Sequence, residues 1–262
     1  MFPKGLVVIT GASSGIGATY ADRAAAAGHD LLLVARRGDR LAELSDQLSR
    51  HYQVKADPWI ADLADHKDLI ALEQRLADQP VAALVNNAGA GGIGATSRSS
   101  GDAQEATIRL NVVALVRLSL AALTGFRAAG QGALVNIGSI AALTPSGIAA
   151  SYCGSKAFVL NFTRSLQLEY AGSGIRIQVV LPGPVRTEFF TAQGLDDSVF
   201  PASSYISAAQ LVDAAMAGLA AGEAVTTPTL LTPDLWDNAE TARLAVLTEA
   251  RGGIVGARYL TP

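Results

Sequence analysis

Short apolar runs alternate with amphipathic stretches along most of the chain. The first run, residues 6–9, consists of Leu-Val-Val-Ile and is apolar at every position. Continuous runs of this kind are typical of strands that are buried on both faces of a parallel sheet. The pattern predicts strands at residues 6–9, 31–35, 54–60, 81–85, 133–137 and 175–181, and a short last strand at residues 225–227.

Helical periodicity fills the segments between these strands. In residues 38–50, for example, Leu41, Leu44 and Leu48 share one helical face. The predicted helices cover residues 18–27, 38–50, 65–78, 102–129, 152–170 and 207–221, and an amphipathic segment follows at residues 236–250. The alternation predicts an α/β fold, a doubly wound, Rossmann-like parallel sheet of about seven strands with helices on both faces.

We expect one domain over residues 1–262, because α/β folds often reach this length undivided. Within it, residues 186–206 have few regular signals and carry several phenylalanines. This segment is predicted to be a substrate loop that covers a site, and the alternative is that its aromatic residues belong to the core. Residues 228–262, which begin at a proline, form a divergent C-terminal tail.

A glycine-rich turn, Thr10 to Gly17, follows the first strand and precedes a helix. Its glycines, Gly11, Gly15 and Gly17, have the spacing G-x-x-x-G-x-G. This spacing differs from the general dinucleotide fingerprint G-x-G-x-x-G. Glycines at such a turn let the backbone approach a pyrophosphate, whose charge then lies at the positive end of the helix. The turn is therefore compatible with a nucleotide, although the general fingerprint is not met.

The second predicted strand ends in Ala35, Arg36 and Arg37, without a carboxylate. In dinucleotide folds an acidic residue near this position holds the ribose 2′-hydroxyl, whereas arginine suits a 2′-phosphate. The arginines therefore favour NADP(H) over NAD(H), and the alternative is that they only solvate the start of a helix. At the end of the third strand, Asp62 either accepts a hydrogen bond from an adenine amino group or caps the next helix.

The candidate chemistry centres on Tyr152 and Lys156, which lie four residues apart and project from one face of a predicted helix. A phenol beside an ammonium can protonate a carbonyl oxygen, and we expect the positive charge to lower the phenol's pKa from about 10 toward neutrality. Ser139 follows the fifth strand, at the end where open α/β sheets bind ligands. Asn111 is unfavourable inside a helix, so it either has a specific hydrogen-bonding role or lies on a solvated face.

Composition excludes several classes of function. The net charge of −3 gives no electrostatic reason to expect nucleic-acid binding. A single cysteine, Cys153, rules out an intramolecular disulfide and fits a reducing compartment. The most apolar long segment, residues 110–126, contains Arg117 and is too short for a membrane span. We therefore expect a soluble cytoplasmic protein that binds neither nucleic acid nor a membrane, and we assign it no metal site.

Several motifs occur together and in a fixed order. They are Thr10 to Gly17, Asp62-Leu63, Asn86-Asn87-Ala88-Gly89, Asn111, Ser139, Tyr152 to Lys156, and Pro182-Gly183-Pro184-Val185-Arg186-Thr187. With these motifs the chain resembles the short-chain dehydrogenase/reductase family over most of residues 5–225. It is most similar to a bacterial subgroup of broadly described oxidoreductases. The ordered series is much more specific than the glycine turn alone.

The resemblance implies a catalytic set of Asn111, Ser139, Tyr152 and Lys156. Tyr152 would be the acid/base, Ser139 would hold the substrate oxygen, and Lys156 would bind the nicotinamide ribose and favour the tyrosinate. Asn111 would organise a water that relays protons to Lys156. The implied cofactor-binding residues are Gly11, Ser13, Ser14, Gly15, Ile16, Gly17, Arg36, Arg37, Asp62, Leu63, Asn87, Ala88, Gly89, Tyr152, Lys156, Pro182, Gly183, Val185 and Thr187.

We therefore expect an NADPH-dependent oxidoreductase that reversibly reduces a ketone or aldehyde to an alcohol. The alternative is a non-catalytic, NADP(H)-sensing regulatory protein. The expected substrate lining is mostly apolar, which favours an apolar carbonyl compound. It consists of Gly91, Ile93, Ile140, Ala141, Leu143, Phe189 and Phe190.

The chain also departs from the family in two places. Some members carry a basic residue immediately before the second motif glycine, whereas this chain has Ser14 there, so the NADP(H) preference depends on Arg36 and Arg37. Many members end in a glycine-rich strand and turn that help to build a tetramer, whereas this chain has Pro228 and a long tail. We expect a homodimer or a homotetramer, and the altered ending leaves the choice open.

Overall fold

The structure is a computed structural model that describes residues 2–260. The chain forms two compact units, Met1–Pro228 and Thr229–Pro262. The strands all lie in the first unit. They are β1 Val7–Thr10, β2 Leu31–Ala35, β3 Ala56–Ile60, β4 Ala83–Asn86, β5 Gly132–Ile137, β6 Ile175–Val180, β7 Val185–Arg186, β8 Ile206–Ser207 and β9 Val225–Thr226.

One parallel sheet organises the first unit, with the strand order β3-β2-β1-β4-β5-β6-β9. A separate short pair joins β7 to β8. The direction of winding reverses between β1 and β4, which are neighbours in the sheet. In open α/β sheets the crevice at the carboxyl ends of such strands is the usual place for a ligand. The predicted fold class, a doubly wound parallel sheet with helices on both faces, is confirmed.

Helices cover both faces because successive residues of each strand point to opposite sides. In β1, Val7 and Ile9 belong to one buried cluster and Val8 to another. The helices are α1 Gly15–Ala26, α2 Gly38–Tyr52, α3 His66–Ala77, α4 Gly101–Ile108, α5 Leu115–Ala129, α6 Ala150–Glu169, α7 Ala208–Ala221 and, in the second unit, α8 Asp234–Ala250. Helices α1, α2 and α7 contribute to the first cluster, and α3, α5 and α6 to the second.

The helix boundaries follow the polar signals in the sequence. A capping box forms at the start of α7, since Ser207 Oγ accepts from the Gln210 N–H at 3.1 Å and Gln210 Oε1 accepts from the Ser207 N–H at 2.8 Å. Helix α7 therefore begins where the sequence predicts. The amphipathic segment predicted in the tail forms α8, two residues longer at its start than the predicted range 236–250.

The long helix predicted at residues 102–129 is not regular throughout. Between α4 and α5, the segment Arg109–Ala114 is a π-helix. Asn111 lies inside this segment, and its side chain bonds to backbone groups of a neighbouring loop. The widened hydrogen-bond pattern thus coincides with a buried polar side chain that bonds to a second backbone segment. Such π-bulges occur frequently at functional sites.

The helical stretch 101–129 is long and apolar enough to cross a membrane, judged by length and composition alone. It includes the apolar segment 110–126, which by itself was predicted to be too short for a span. In this structure 44% of its most apolar window is buried inside the protein. A core helix packed on a sheet meets the same test, and α5 packs in the second buried cluster. The stretch is therefore weak evidence for a membrane span.

A chain of buried polar side chains connects the helices of one layer to the sheet. Asn86 Nδ2 donates to Ser119 Oγ at 3.0 Å and to Asn136 Oδ1 at 2.9 Å. Asn136 Nδ2 in turn donates to Thr163 Oγ1 at 2.9 Å. All four residues are buried, so each bond satisfies a group that would otherwise lack a partner. The chain of bonds fixes α5 and α6 relative to β4 and β5, at the edge where the candidate site lies.

The variant Thr163→Val should lower the free energy of unfolding by about 1–3 kcal/mol, because it leaves the buried Asn136 amide without its acceptor. Urea denaturation measures the change. The matched control is Thr124→Val, since Thr124 makes the same type of bond to the carbonyl four residues earlier but is exposed. Equal effects of the two variants would contradict a stabilising role for the polar chain.

Candidate active site

The glycine-rich turn after β1 is held against the end of β4. Asn87 Nδ2 donates to the carbonyl oxygens of Thr10 at 2.9 Å and Gly11 at 3.2 Å. Thr10 Oγ1 accepts from the N–H groups of Asn87 and Ala88, both at 3.0 Å. These bonds tie the two strands together at the point where the winding of the sheet reverses.

Two glycines of the turn leave no space for a side chain. A Cβ on Gly17 would overlap the Gly11 carbonyl oxygen and would lie 2.6 Å from Asn87 Nδ2. Gly15 has a φ of +55°, and a Cβ there would lie 2.9 Å from Thr187 Cγ2. The spacing of glycines in the turn therefore reflects close packing on β4 and on the segment after β7. Helix α1 begins at Gly15, so its N–H groups face this crevice.

The remaining predicted cofactor residues lie along the same edge of the sheet. Gly89 faces the catalytic candidates, since a Cβ there would lie 3.3 Å from Asn111 Oδ1 and 3.7 Å from Lys156 Nζ. The Pro182 carbonyl oxygen accepts from the Ile140 N–H at 3.0 Å, which joins the two loops after β5 and β6. The buried side chains of Leu63 and Val185 belong to the core, and Ile16 packs against it.

At the end of β2, Arg37 is fastened to the glycine-rich turn. Its guanidinium donates to Ser13 Oγ at 3.0 and 3.1 Å and to Ser14 Oγ at 2.6 Å. The Arg36 side chain is 72% exposed, and within residues 2–260 its one ion-pair partner is Asp62, at 3.9 Å. Both predicted arginines therefore lie beside the turn, and Arg36 keeps most of its hydrogen-bonding capacity available.

Asp62 does not cap the following helix. The N-cap of α3 is Asp65, whose side chain accepts from the N–H groups of Lys67 at 2.8 Å and Asp68 at 3.2 Å. Asp62 Oδ1 instead accepts from the Ala64 N–H at 3.0 Å, within a turn. The capping alternative is wrong because the chain needs a further turn before α3 begins. A contact of Asp62 with adenine remains a prediction.

Two charged residues at this end of the site were not predicted. Glu188 accepts from Arg37 Nη1 at 2.7 Å and from Arg40 Nη1, which is 2.7 Å from both carboxylate oxygens. Hydrogen bonds from the two guanidiniums lower the pKa of Glu188 below its usual range. Arg40 could have been found from its place in the first turn of α2, three residues after Arg37. No local signal connects Glu188 with a helix 148 residues earlier.

Ser139, Tyr152 and Lys156 come together at the carboxyl end of β5. Ser139 is buried, and its Oγ accepts from the Ala141 N–H at 3.1 Å. The Ser139 side chain lies close enough to Tyr152 to influence the pKa of the phenol. Lys156 is also buried, donates from Nζ to the Ile137 carbonyl oxygen at 2.8 Å, and lies 5.8 Å from the centre of the Tyr152 ring. A hydroxyl, a phenol and an ammonium therefore surround one small space.

The expected lowering of the phenol's pKa is not found. Burial raises the pKa of Tyr152 above its usual value, and the hydrogen bond with Ser139 acts in the opposite direction but is smaller. Burial also lowers the pKa of Lys156 to about 8. The expectation was wrong because it counted only the neighbouring charge, whereas removing water from both groups disfavours the phenolate and the ammonium alike.

Asn111 is buried, so it does not lie on a solvated face. Its Oδ1 accepts from the Ala90 N–H at 2.8 Å, and its Nδ2 donates to the Ala90 carbonyl oxygen at 2.8 Å and to Ser155 Oγ at 3.0 Å. Ser155 Oγ donates to the carbonyl oxygen of Tyr152 at 2.7 Å. Asn111 thus connects the loop after β4 to the turn of α6 that carries Tyr152.

Aromatic residues of segment 186–206 have two different positions. The Phe189 ring lies 5.9 Å from the Tyr152 ring, between centroids, and so faces the site. Phe190 is buried against Phe200 at 5.8 Å and Tyr205 at 6.2 Å. Phe190 therefore belongs to an aromatic core, whereas Phe189 lies beside Tyr152. The role of the segment as a substrate loop remains a prediction.

Gln193 was not predicted and connects this segment to the loop after β4. Its Nε2 donates to the Phe189 carbonyl oxygen at 2.7 Å, and its Oε1 accepts from the Ile93 N–H at 3.3 Å. A Cβ on Gly91 would overlap the Gln193 side chain. The predicted lining residues Gly91 and Ile93 are thus covered by Gln193, whereas Ile140 and Leu143 are 39% and 55% exposed.

The sequence of this chain is similar to those of known proteins. The family model for the short chain dehydrogenase matches residues 5–197. Sulfoacetaldehyde reductase 2 of Chromohalobacter salexigens is 37% identical over 191 residues, which cover 70% of this chain and 74% of that protein.

Two solved structures are similar over almost the whole chain. A short-chain dehydrogenase from Sphingobium yanoikuyae, in complex with NADPH, has a TM-score of 0.93 and 40% identity and covers 97% of this chain and 100% of its own. A bulky-bulky ketone specific alcohol dehydrogenase from Comamonas testosteroni has a TM-score of 0.88 and 37% identity and covers 98% of both chains. Because the family model covers most of its length, this chain belongs to the short-chain dehydrogenase family and is an oxidoreductase.

Proposed function

We propose that the protein is an NADPH-dependent oxidoreductase that reversibly reduces a ketone or aldehyde to an alcohol. The observation that carries the proposal is the meeting of Ser139, Tyr152 and Lys156 at the carboxyl end of β5. The hydroxyl groups of Ser139 and Tyr152, with an ammonium beside them, suit a substrate oxygen that gains or loses a proton. The NADPH complex of the related Sphingobium yanoikuyae structure supports the choice of cofactor.

The residues fit a nicotinamide dinucleotide phosphate. Gly15 and Gly17 leave the turn free of side chains, and α1 begins at Gly15, which suits a pyrophosphate. Arg36 and Arg37 lie at the end of β2, where a 2′-phosphate needs cations. Lys156 has three donors, and among the described residues it donates to one acceptor, the Ile137 carbonyl oxygen. Its remaining donors suit ribose hydroxyls.

The chain's own groups then have separate tasks. A bound nicotinamide supplies the hydride for reduction or accepts it in oxidation. Ser139 Oγ holds the substrate oxygen, and Tyr152 Oη gives that oxygen its proton during reduction. Lys156 stabilises the phenolate that remains. Asn111 acts at a distance, since its bonds with Ala90 and Ser155 hold the loop and the helix turn beside the reacting groups.

We further propose that the substrate is a bulky, apolar carbonyl compound. Phe189 faces Tyr152, and the exposed side chains of Ile140 and Leu143 follow Ser139 in the same loop. The related alcohol dehydrogenase of Comamonas testosteroni is specific for bulky-bulky ketones, which is in line with this lining.

The variant Tyr152→Phe should lower kcat for ketone reduction with NADPH by about 10²–10⁴-fold, because the substitution removes only the proton donor. The assay follows NADPH oxidation with a panel of aryl and alkyl ketones, aldehydes and sulfonated aldehydes. Tyr170→Phe, at the other end of the same helix, is the matched control and should keep full activity. Unchanged turnover by Tyr152→Phe would exclude the proposed role. Tight NADPH binding without turnover of any carbonyl would favour a cofactor sensor instead.

The variant Arg36→Ala should raise the Michaelis constant for NADPH about tenfold or more and change that for NADH by less than about twofold, because a charge-assisted bond to the 2′-phosphate is lost. Steady-state kinetics with both cofactors tests this. Arg50→Ala, at the far end of α2, removes the same charge without approaching the turn and serves as control. Equal changes for the two cofactors would rule out a contact between Arg36 and the 2′-phosphate.

Burial of Lys156 predicts a pH-dependent difference in stability. Its pKa is about 8 in the folded protein, against an ordinary lysine value of 10.5, so between these values the unfolded state binds more protons. Wild-type protein should therefore gain up to about 3 kcal/mol relative to Lys156→Met as pH rises through this range. Urea denaturation of both proteins without cofactor measures the difference.

A surface variant provides the control for that experiment. Lys67→Met also removes one lysine, but Lys67 is exposed. The stability difference between wild type and Lys67→Met should stay nearly constant over the same pH range. A constant difference for Lys156→Met as well would show that the ammonium is not desolvated in the folded protein.

A further inference from the structure

Glu188 occupies an unusual position at the start of segment 186–206. Its carboxylate lies between Arg37 and Arg40, and the three bonds that it accepts are each 2.7 Å long. Two of the three arginines between residues 36 and 40 thus donate to a carboxylate that belongs to a distant segment of the chain. The third, Arg36, lies 3.9 Å from Asp62.

A carboxylate and a phosphate present similar acceptors to a guanidinium. Both form short, paired N–H···O bonds with arginine, and both carry negative charge. Arg37 also donates to Ser13 and Ser14 in the glycine-rich turn, so the cations that hold Glu188 form one group with the turn. Any 2′-phosphate that approaches the end of β2 meets cations already bonded to Glu188.

The backbone of Glu188 begins the turn that positions the cover of the site. The Glu188 carbonyl oxygen accepts from the Ala192 N–H at 2.8 Å, which closes a turn around Phe189 and Phe190. Gln193 Nε2 donates to the Phe189 carbonyl oxygen, and the Phe189 ring lies 5.9 Å from that of Tyr152. Displacement of the Glu188 carboxylate therefore acts on the turn that places Phe189 over the reacting groups.

We propose that Glu188 is an internal competitor of the cofactor's 2′-phosphate for Arg37 and Arg40, so that a phosphorylated cofactor releases the first turn of the substrate loop. The inference rests on the proposed function, because it requires the 2′-phosphate to bind at the end of β2. Glu188 then has two effects. It weakens the binding of NADP(H) relative to NAD(H), and it couples the cofactor's phosphate to the cover of the substrate site.

Binding of two adenosine phosphates tests the competition. Adenosine 2′,5′-bisphosphate carries the 2′-phosphate but lacks a nicotinamide, and adenosine 5′-monophosphate lacks both. Calorimetric titration of wild type and Glu188→Gln should show that the variant increases the affinity ratio of bisphosphate to monophosphate by about three- to tenfold. Glu105→Gln is the matched control. Glu105, on α4, accepts a hydrogen bond from Arg109 in the following π-helix and lies outside the arginine group at the end of β2. It should leave the ratio unchanged.

Hydrogen exchange at the amides of residues 189–195 tests the coupling. In the wild type, the bisphosphate should speed exchange of these amides and the monophosphate should not, because only the former displaces Glu188. In Glu188→Gln the exchange should already be fast and should not respond to either ligand. The bisphosphate has no nicotinamide that could contact the loop. A change in exchange that only the bisphosphate causes must therefore pass through the arginines that bind its 2′-phosphate.

The outcomes separate the two proposals. A wild type that binds both adenosine phosphates equally would overturn the 2′-phosphate assignment and this inference together. Preference for the bisphosphate with an unchanged ratio in Glu188→Gln would overturn the inference alone and leave the cofactor assignment intact. An increased ratio without any change in exchange at residues 189–195 would overturn the release of the loop.

Discussion

A positive charge kept out of water is the constraint on which the active site depends. The Lys156 ammonium is buried at the carboxyl end of β5, and burial lowers its pKa to about 8. It is held there by the Ile137 carbonyl oxygen, so α6 must pack closely on the sheet. The buried bonds from Asn136 to Thr163 hold the same helix on the same strand. The glycine at residue 89 leaves space beside Nζ, where a side chain would approach within 3.7 Å. Much of the local packing thus serves to place one charged atom.

The sheet and most of its helices could be predicted from the sequence because strands buried on both faces have continuous apolar runs. The residues of the candidate site could also be named, since each follows a predicted strand or lies on a predicted helix. The π-helix around Asn111 could not, because a continuous helical pattern in the sequence does not show where the hydrogen-bond spacing widens. The contacts of Glu188 with Arg37 and Arg40 join elements about 150 residues apart and have no local pattern. The roles of the site residues, the cytoplasmic location and the oligomeric state remain predictions.

The two ends of the crevice form one electrostatic system. The arginines at the end of β2 bond both to the glycine-rich turn and to Glu188, and Glu188 begins the turn that carries Phe189 toward Tyr152. Charges at this exposed end are screened by salt, so each bond contributes little to the stability of the fold. Their importance lies in competition, because a carboxylate can be replaced by a phosphate of similar geometry without loss of the remaining contacts.

The protonation states of the site without a cofactor favour one direction of chemistry. Burial raises the pKa of Tyr152, so the phenol keeps its proton near neutral pH. A protonated phenol is ready to act as an acid toward a carbonyl oxygen, whereas alcohol oxidation first requires the phenolate. Lys156, with its pKa lowered to about 8, still carries most of its charge at neutral pH, and in the proposed reaction it would stabilise the phenolate once the proton has left. The same burial that opposes ionisation at rest therefore strengthens the attraction between these two groups during the reaction, because the site contains less water to screen them.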